Sequence, residues 1–292
     1  MKGLQAQTKL AALLVCHNRR EKTLHAIRSL HAQDDHPFAL SVFLFDDAST
    51  DGTAEAVEKE FPDTTIVNGD GSAFWNGGLY KVWKSAVSSC PDAYLWLNDD
   101  VELHKNALYC IGDAWHDVET RQRNRRFILA AATGCPDGKG IYGGKQQVES
   151  RTSFKLTPVP PSDDLQPIDT FNGNIVLVPR EVSVEIGLND PAFFHNFGDI
   201  DYGLRATAAG IACFLIPGIQ GDCPYNDVKA NRGYGAPGLS LREQWQKVNT
   251  HHGLHFRSWY RLTKRHSGVW WPLHFLLPYR WLIIPRKNWS NK

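Results

Sequence analysis

Asp99 and Asp100 close the segment Tyr94-Leu95-Trp96-Leu97-Asn98-Asp99-Asp100-Val101, and their type and spacing point to metal or phosphate chemistry. An apolar run that reads as a buried strand ends in two adjacent carboxylates, then gives way to a polar stretch that reads as a helix. In an open α/β sheet, ligands gather where strands end at their carboxyl edge. Two acids there, with no basic neighbour in sequence, repel each other unless a cation or a solvated turn relieves them. Hard divalent cations such as Mg²⁺ and Mn²⁺ bind carboxylate oxygens and leave positions open for substrate phosphates. A solvated turn that caps the next helix is the competing reading.

The elements that would position these acids alternate along the first 130 residues. Leu10 to Cys16 is a continuous apolar run, followed by His17-Asn18-Arg19-Arg20 and a helical pattern through Leu24, Ile27 and Leu30. Leu40 to Phe45 is a second run, closing in Asp46-Asp47-Ala48-Ser49-Thr50-Asp51-Gly52-Thr53 before a short helix over 54–61. Strands are predicted at 64–67, 93–97 and 127–132, with a helix after Trp75-Asn76-Gly77-Gly78 that carries Leu79, Val82, Trp83 and Val87 on one face. Such alternation predicts a parallel sheet with helices on both faces. Residues 134–161 are rich in Gly and Pro and read as a hairpin or loop excursion. Further on come a strand at 174–179, short helices at 180–187 and 199–210, and a last strand at 211–216. Residues 217–237 read as a long loop of the kind that closes over ligands.

Taken in order, His17-Asn18-Arg19, the segment 46–53, Asn98-Asp99-Asp100, the segment Asn172 to Arg180 and Gly198-Asp199-Ile200-Asp201-Tyr202-Gly203-Leu204-Arg205 resemble a family-2 glycosyltransferase of the GT-A fold. The nearest likeness is to bacterial enzymes that decorate lipopolysaccharide, O-antigen or capsule, rhamnosyltransferases among them. Those often carry an aromatic-x-Gly-Gly segment like 75–78 and a basic, aromatic tail. The resemblance implies an α/β GT-A domain over 1–240 and a helical, membrane-associating extension over 241–292. It implies Asp47 on the uracil or thymine ring of a nucleotide sugar, with His17 and Asn18 bounding that pocket. Trp75, Asn76 and Gly77 would meet sugar and diphosphate, the glycines letting phosphate approach backbone N–H groups at a helix start. Asp100 would ligate Mg²⁺ or Mn²⁺, and Asp99 would meet ribose or metal. His251, His252 and His266 are candidates for a third ligand.

Asp199 is the expected catalytic base, taking the proton of the acceptor hydroxyl in an inverting transfer. The family pattern places Glu before this Asp; here Gly198 stands instead. Each residue also has a plainer reading: Asp47 as a turn acid, Gly77-Gly78 as close helix packing, Asp199 as a helix cap, and Asp201 as the partner of Arg205 four residues on.

Charge is segregated. From Gln244 to Lys292 there are nine Lys and Arg and no acid, which leaves the first 243 positions at a formal −8; six of the ten tryptophans share that tail. Tryptophan favours the headgroup zone and basic residues favour anionic surfaces, so contact with the inner face of a membrane is expected, with Asn174, Lys264, Arg265 and His266 on acceptor or its phosphates. Two helices packing on the catalytic domain are the alternative. The six scattered cysteines and the polar start predict a cytoplasmic setting. A nucleotidyltransferase would use similar acids, but no glycine loop follows the first strand. A nucleic-acid-binding protein is disfavoured by the −8 balance and the lack of a recognised module.

Overall fold

A computed structural model describes residues 7–138, 140–224, 239–250 and 253–282. The first half is built from β1 (Thr8–Cys16), α1 (Arg20–His31), β2 (Phe38–Asp46), α2 (Thr53–Glu60), β3 (Thr65–Asn68), α3 (Phe74–Ala86) and β4 (Ala93–Leu97). β1 and β4 are apolar and buried throughout their inner lengths, as strands covered on both faces must be. α1 buries Leu24, Ile27 and Leu30, the stripe that the spacing predicts.

Then come β5 (Glu102–Leu103), α4 (Ala107–Gln122), β6 (Phe127–Gly134), β7 (Ile141–Tyr142), β8 (Gly144–Val148), β9 (Lys155–Pro158), β10 (Gln166–Ile168), β11 (Thr170–Phe171) and β12 (Ile175–Pro179). They lead into α5 (Arg180–Ile186), α6 (Gly198–Ala208) and β13 (Ala212–Asp222). The main sheet runs β10-β13-β6-β12-β4-β1-β2-β3, with β5 on β13 and β7 on β6. β3, β2, β1 and β4 are parallel, as the alternating pattern predicts. β12 enters antiparallel between β4 and β6. The chain reaches it through the 134–171 excursion rather than a crossover helix, so no parallel connection is imposed. That excursion is itself a small sheet, β11-β8-β9.

Core side chains lie on both faces of the main sheet, one layer under α1 and α4 and the other under α3 and α6. The tail folds as α7 (Leu241–Val248), α8 (Phe256–His266) and α9 (Trp271–Leu276), with 3-10 turns at Gly268–Trp270 and Leu277–Leu282. Val248, Leu254, Trp259, Leu262 and Phe275 form a third apolar cluster with Phe193, Ile200 and Leu204. The tail therefore shares a core with α6, as in the packing reading. No helix among the described residues is long and apolar enough to cross a membrane. The loop expected at 217–237 is strand as far as Asp222, because β13 continues along β6 beyond an irregularity at 215–219; its remainder from 225, with His251 and His252, lies outside the described residues.

Candidate active site

Strand register assembles the site. β1 and β4 pair in parallel, Leu13 beside Trp96, and that offset carried forward brings Cys16 level with Asp99. Residues 17–19 therefore emerge beside residues 98–100. Arg19 uses the juxtaposition: its Nη1 donates to Asp99 Oδ1 at 3.0 Å and Asp100 Oδ2 at 3.2 Å. The basic partner that the acids lack in sequence comes from the neighbouring strand. Burial still pushes the Asp99 carboxyl up to about 6, against the pull of Arg19.

On the other side of β4, antiparallel β12 begins where β4 ends. Asn98 donates its backbone N–H to Asn174 O (3.0 Å) and its Nδ2 to Asn174 Oδ1 (2.9 Å). Asn174 Nδ2 reaches Thr133 Oγ1 at 2.9 Å, and Trp75 Nε1 donates to Asn98 Oδ1 at 2.7 Å. The neighbouring Gly173 N–H donates to Asp199 Oδ2 at 3.0 Å, and Asp199 Oδ1 accepts from Ile200 N–H at 2.8 Å. One polar rim thus runs from Asp100 to Asp199 along a cleft of about 1620 Å³. At the Asp199 end, β8 contributes Lys145, whose Nζ donates to Asn172 Oδ1. Burial raises the Asp199 carboxyl above its ordinary range, and Lys145 is the charge that opposes it.

His17, Asp47, Trp75, Asp99, Asp100, Asn174 and Asp199 all line this cleft. Several of them have further duties. His17 Nδ1 bonds Asp47 O at 2.7 Å. The Asp47 carboxylate accepts from the N–H groups of Gly71 (2.9 Å), Ala73 (2.9 Å) and Phe74 (3.0 Å). It therefore covers the positive end of α3 that was expected to meet a diphosphate.

Asn18, Asn76 and Gly77 stand away from the cleft lining. Asn18, at φ 51°, holds Thr50 N–H through its Oδ1 at 2.7 Å and fastens the two rim loops together. Asn76 is fully buried; it donates to Asp190 O (2.9 Å) and Phe193 O (2.8 Å) and accepts from Asn189 at both its backbone and side-chain oxygens. A Cβ on Gly198 would overlap Asn76 Oδ1, which is why glycine stands where the family pattern has Glu. Asn76 lies against the start of the Asp199 helix, with its side chain engaged by Asp190, Phe193 and Asn189. A Cβ on Gly78 would lie 2.6 Å from Val15 Cγ1 and 2.8 Å from Phe45 Cδ1. Gly78→Ala is expected to cost about 1–3 kcal/mol by overpacking, read as a lower urea midpoint with an unchanged slope.

Lys264, Arg265 and His266 are likewise placed elsewhere. Lys264 Nζ bonds Tyr260 OH, while Arg265 and His266 close on Asp201, turned away from the cleft by the packing of α8 on α6. The tail residues that line the cleft include Arg280 and Trp259. Arg19, Asn98 and Asn172 belong to motifs quoted from the sequence but carry no assigned role there, and Lys145 is not singled out at all. The signal for Arg19 is that it follows a strand parallel and adjacent to β4; Lys145 has no comparable mark.

Asp99 and Asp100 offer oxygen donors alone, which suit a hard cation. Among the described residues, no group of three or more His, Cys, Asp or Glu converges. Two carboxylates fit a cation of the Mg²⁺ type that completes its shell with substrate phosphates and water, rather than an all-protein cage.

Residues 12–117, which run from the second half of β1 through the Asp pair and most of α4, match the family described as Glycosyl transferase family 2. Across 88% of this chain and 83% of the relative, the sequence is 24% identical to the N-acetylglucosaminyl-diphospho-decaprenol L-rhamnosyltransferase of Mycobacterium tuberculosis. The chain carries a glycosyltransferase family-2 domain and is similar to a glycosyltransferase along most of its length. Solved structures similar to this glycosyltransferase have the GT-A fold. GalNAc-T7, crystallised with UDP, GalNAc and Mn²⁺, has a TM-score of 0.58 at 12% identity over 96% of this chain; the chain spans 56% of its length. TarS of S. aureus in complex with UDP gives 0.55 at 13% identity, covering 88% of this chain and 70% of that one. The mannosyltransferase PcManGT of Pyrobaculum calidifontis, with GDP-Man and Mn²⁺, gives 0.54 at 13%, covering 95% and 72%.

Proposed function

We propose that this glycosyltransferase inverts the anomeric centre, depends on a divalent cation, and moves a sugar from a UDP- or dTDP-linked donor to a hydroxyl of a bacterial surface glycan or glycolipid. The observation that carries the reading is the single rim that joins Asp99-Asp100 at one end of the cleft to Asp199 at the other. An inverting transfer needs that separation. The leaving diphosphate departs on one face of the anomeric carbon, and the acceptor hydroxyl arrives on the opposite face with a base beside it.

Asp199 takes the hydroxyl proton as the oxygen attacks. Its two hydrogen bonds from Gly173 and Ile200 aim the carboxylate without a rotamer search. Asp100 and Asp99 are the residues that would hold Mg²⁺ or Mn²⁺, which when bound neutralises the charge of the leaving nucleoside diphosphate. Arg19 adds a permanent positive charge at the same end. His17 and Asp47 bound the base pocket, and Trp75 walls the sugar. Residues 1–240 form the catalytic unit in this reading, and 241–292 the extension.

The lipid-linked acceptor rests on the tail as well as on the kind of substrate named for the mycobacterial relative. Val269 (85% exposed), Leu276 (61%), Trp270 and Leu273 present apolar surface beside the 3-10 turn whose Leu277, Pro278 and Arg280 line the cleft. Arg151 lies over the Trp270 ring at 5.8 Å. Such a ridge suits the headgroup zone. The protein is expected to sediment with vesicles containing phosphatidylglycerol, and Val269→Asp with Leu276→Asp is expected to release it; equal sedimentation by both forms removes the membrane contact.

A thermal-shift panel of nucleotide sugars with and without Mn²⁺ tests the function. A donor at about 100 times its Kd stabilises by about 2.7 kcal/mol, a rise of roughly 5–10 °C for a chain of this size. The rise is expected for UDP- or dTDP-sugars with Mn²⁺, and Asp100→Asn is expected to erase its metal-dependent part. A flat panel rejects the donor class.

A further inference from the structure

We propose that Lys145 is the positioning residue of the base: from β8 its ammonium faces the start of α6 and keeps the Asp199 carboxylate ionised while the acceptor hydroxyl is bound. This rests on the reading of Asp199 as general base.

The placement follows from the small sheet. β8 pairs antiparallel with β11, Lys145 beside Thr170, so the side chain comes level with the turn that leaves β11 through Asn172 and Gly173. Lys145 Nζ donates to Asn172 Oδ1, and Gly173 N–H donates to Asp199, so adjacent residues of one turn hold the cation and the carboxylate. Asn172 N–H in turn donates to Gly143 O at 2.9 Å, which closes the turn on the strand that carries Lys145. Both Lys145 and Asp199 line the cleft.

Among the described residues, Lys145 is the cation whose charge acts on Asp199. The turn at 172–174 and the start of α3 contribute Asn172, Asn174, Trp75 and Asn76. Within α6, Asp201 is engaged with Arg205, Arg265 and His266; His195, which precedes the helix, and Arg280 of the tail are further titratable side chains that line the same cleft. Burial pushes the Lys145 ammonium below its ordinary value, with Asp199 pulling it back, and does the opposite to Asp199. A charged pair of this kind is most valuable at the moment of catalysis. Bound acceptor excludes water, and a lone carboxylate would then gain a proton and cease to be a base.

The test is kcat/KM against pH for the wild type, Lys145→Met, Lys145→Arg and Asp199→Asn, with UDP and Mn²⁺ affinity measured for each by calorimetry. Removing an opposite charge from beside a carboxyl moves it by up to about 1–3 pH units. The acid limb of Lys145→Met is therefore expected to move up by about that amount, giving a deficit that approaches tenfold or more below both limbs and closes as pH rises above them. Lys145→Arg is expected to hold the limb near its wild-type position, and nucleotide affinity is expected to stay within about twofold. A deficit constant across the whole pH range, or a limb that does not move, overturns the assignment. Should Lys145→Met fail to fold, Asn172→Ala loosens the same ammonium and is expected to move the limb the same way by a smaller amount; a static limb there counts equally against it. Full turnover by Asp199→Asn would instead mean that the base itself has been misassigned, whatever Lys145 does.

Discussion

Asp199→Asn is expected to slow glycosyl transfer by about 10²–10⁴-fold, the usual loss when a general base is removed, while nucleotide affinity stays within about twofold. The substitution preserves volume, and the amide oxygen can still accept from Gly173 or Ile200, so the start of α6 keeps its place. What disappears is the capacity to take a proton. The pH profile adds a second signature. Burial lifts the Asp199 carboxyl above its ordinary range, and the base works only when ionised, so wild-type kcat/KM falls as pH drops through that raised value. The residual rate of Asp199→Asn is expected to lack this limb and to run flat through the same region. Initial rates of nucleoside diphosphate release from pH 5 to 9 read both effects. Turnover near the wild-type level, or an unchanged acid limb in the variant, would take Asp199 out of the mechanism.

The parallel half of the fold was legible because β1, β4 and the inner part of β2 are continuous apolar runs between turn residues, and β4 was placed at its observed bounds. Neighbouring parallel strands must end on the same edge, so the Asp pair was legible as a site as well. Less could be read where a contact depends on register between segments distant in sequence. Arg19 and Asp99 are eighty positions apart and meet because β1 lies beside β4. Gly198 was noticed as a departure from the family pattern, but its reason is the Asn76 side chain, which reaches it from another helix. The same limit applied to the basic tail. Composition shows that 244–292 is cationic and aromatic; it does not show that Arg265 and His266 face an acid on α6 rather than a phosphate.

That acid sets the largest stability effect expected of a single change. Asp201 is fully buried and holds Arg205 Nε at 3.0 Å, Arg265 Nη1 at 2.6 and 2.8 Å, and His266 Nε2 at 2.9 Å. Asp201→Ala leaves three cationic or proton-donating groups converging on an empty place. Removing one partner of a buried pair costs about 3–5 kcal/mol; Arg265 is a third exposed, which puts the expectation at about 3 kcal/mol. For a chain of this size that is a fall of roughly 6–12 °C in Tm. The sign with pH follows from the carboxyl itself. Burial pushes it up, yet the His266 hydrogen bond and the Arg265 and Arg205 charges outweigh burial and hold it below its ordinary value. A depressed carboxyl stabilises the fold above its unfolded value near about 4, and that contribution is lost as pH falls through the lower folded value. Wild-type Tm is therefore expected to drop more steeply than that of Asp201→Ala below pH 4, so the two curves converge in acid. Because α6 also carries Asp199, the variant is expected to lose transfer in step with its loss of structure, although Asp201 touches no part of the cleft. Pairing it with Arg265→Met removes a stranded charge and is expected to recover part of the Tm. A single variant within 1 °C of wild type at pH 7 would mean that the tail is held to the catalytic domain by its apolar cluster and the Asp190 ion pairs without the Asp201 cluster.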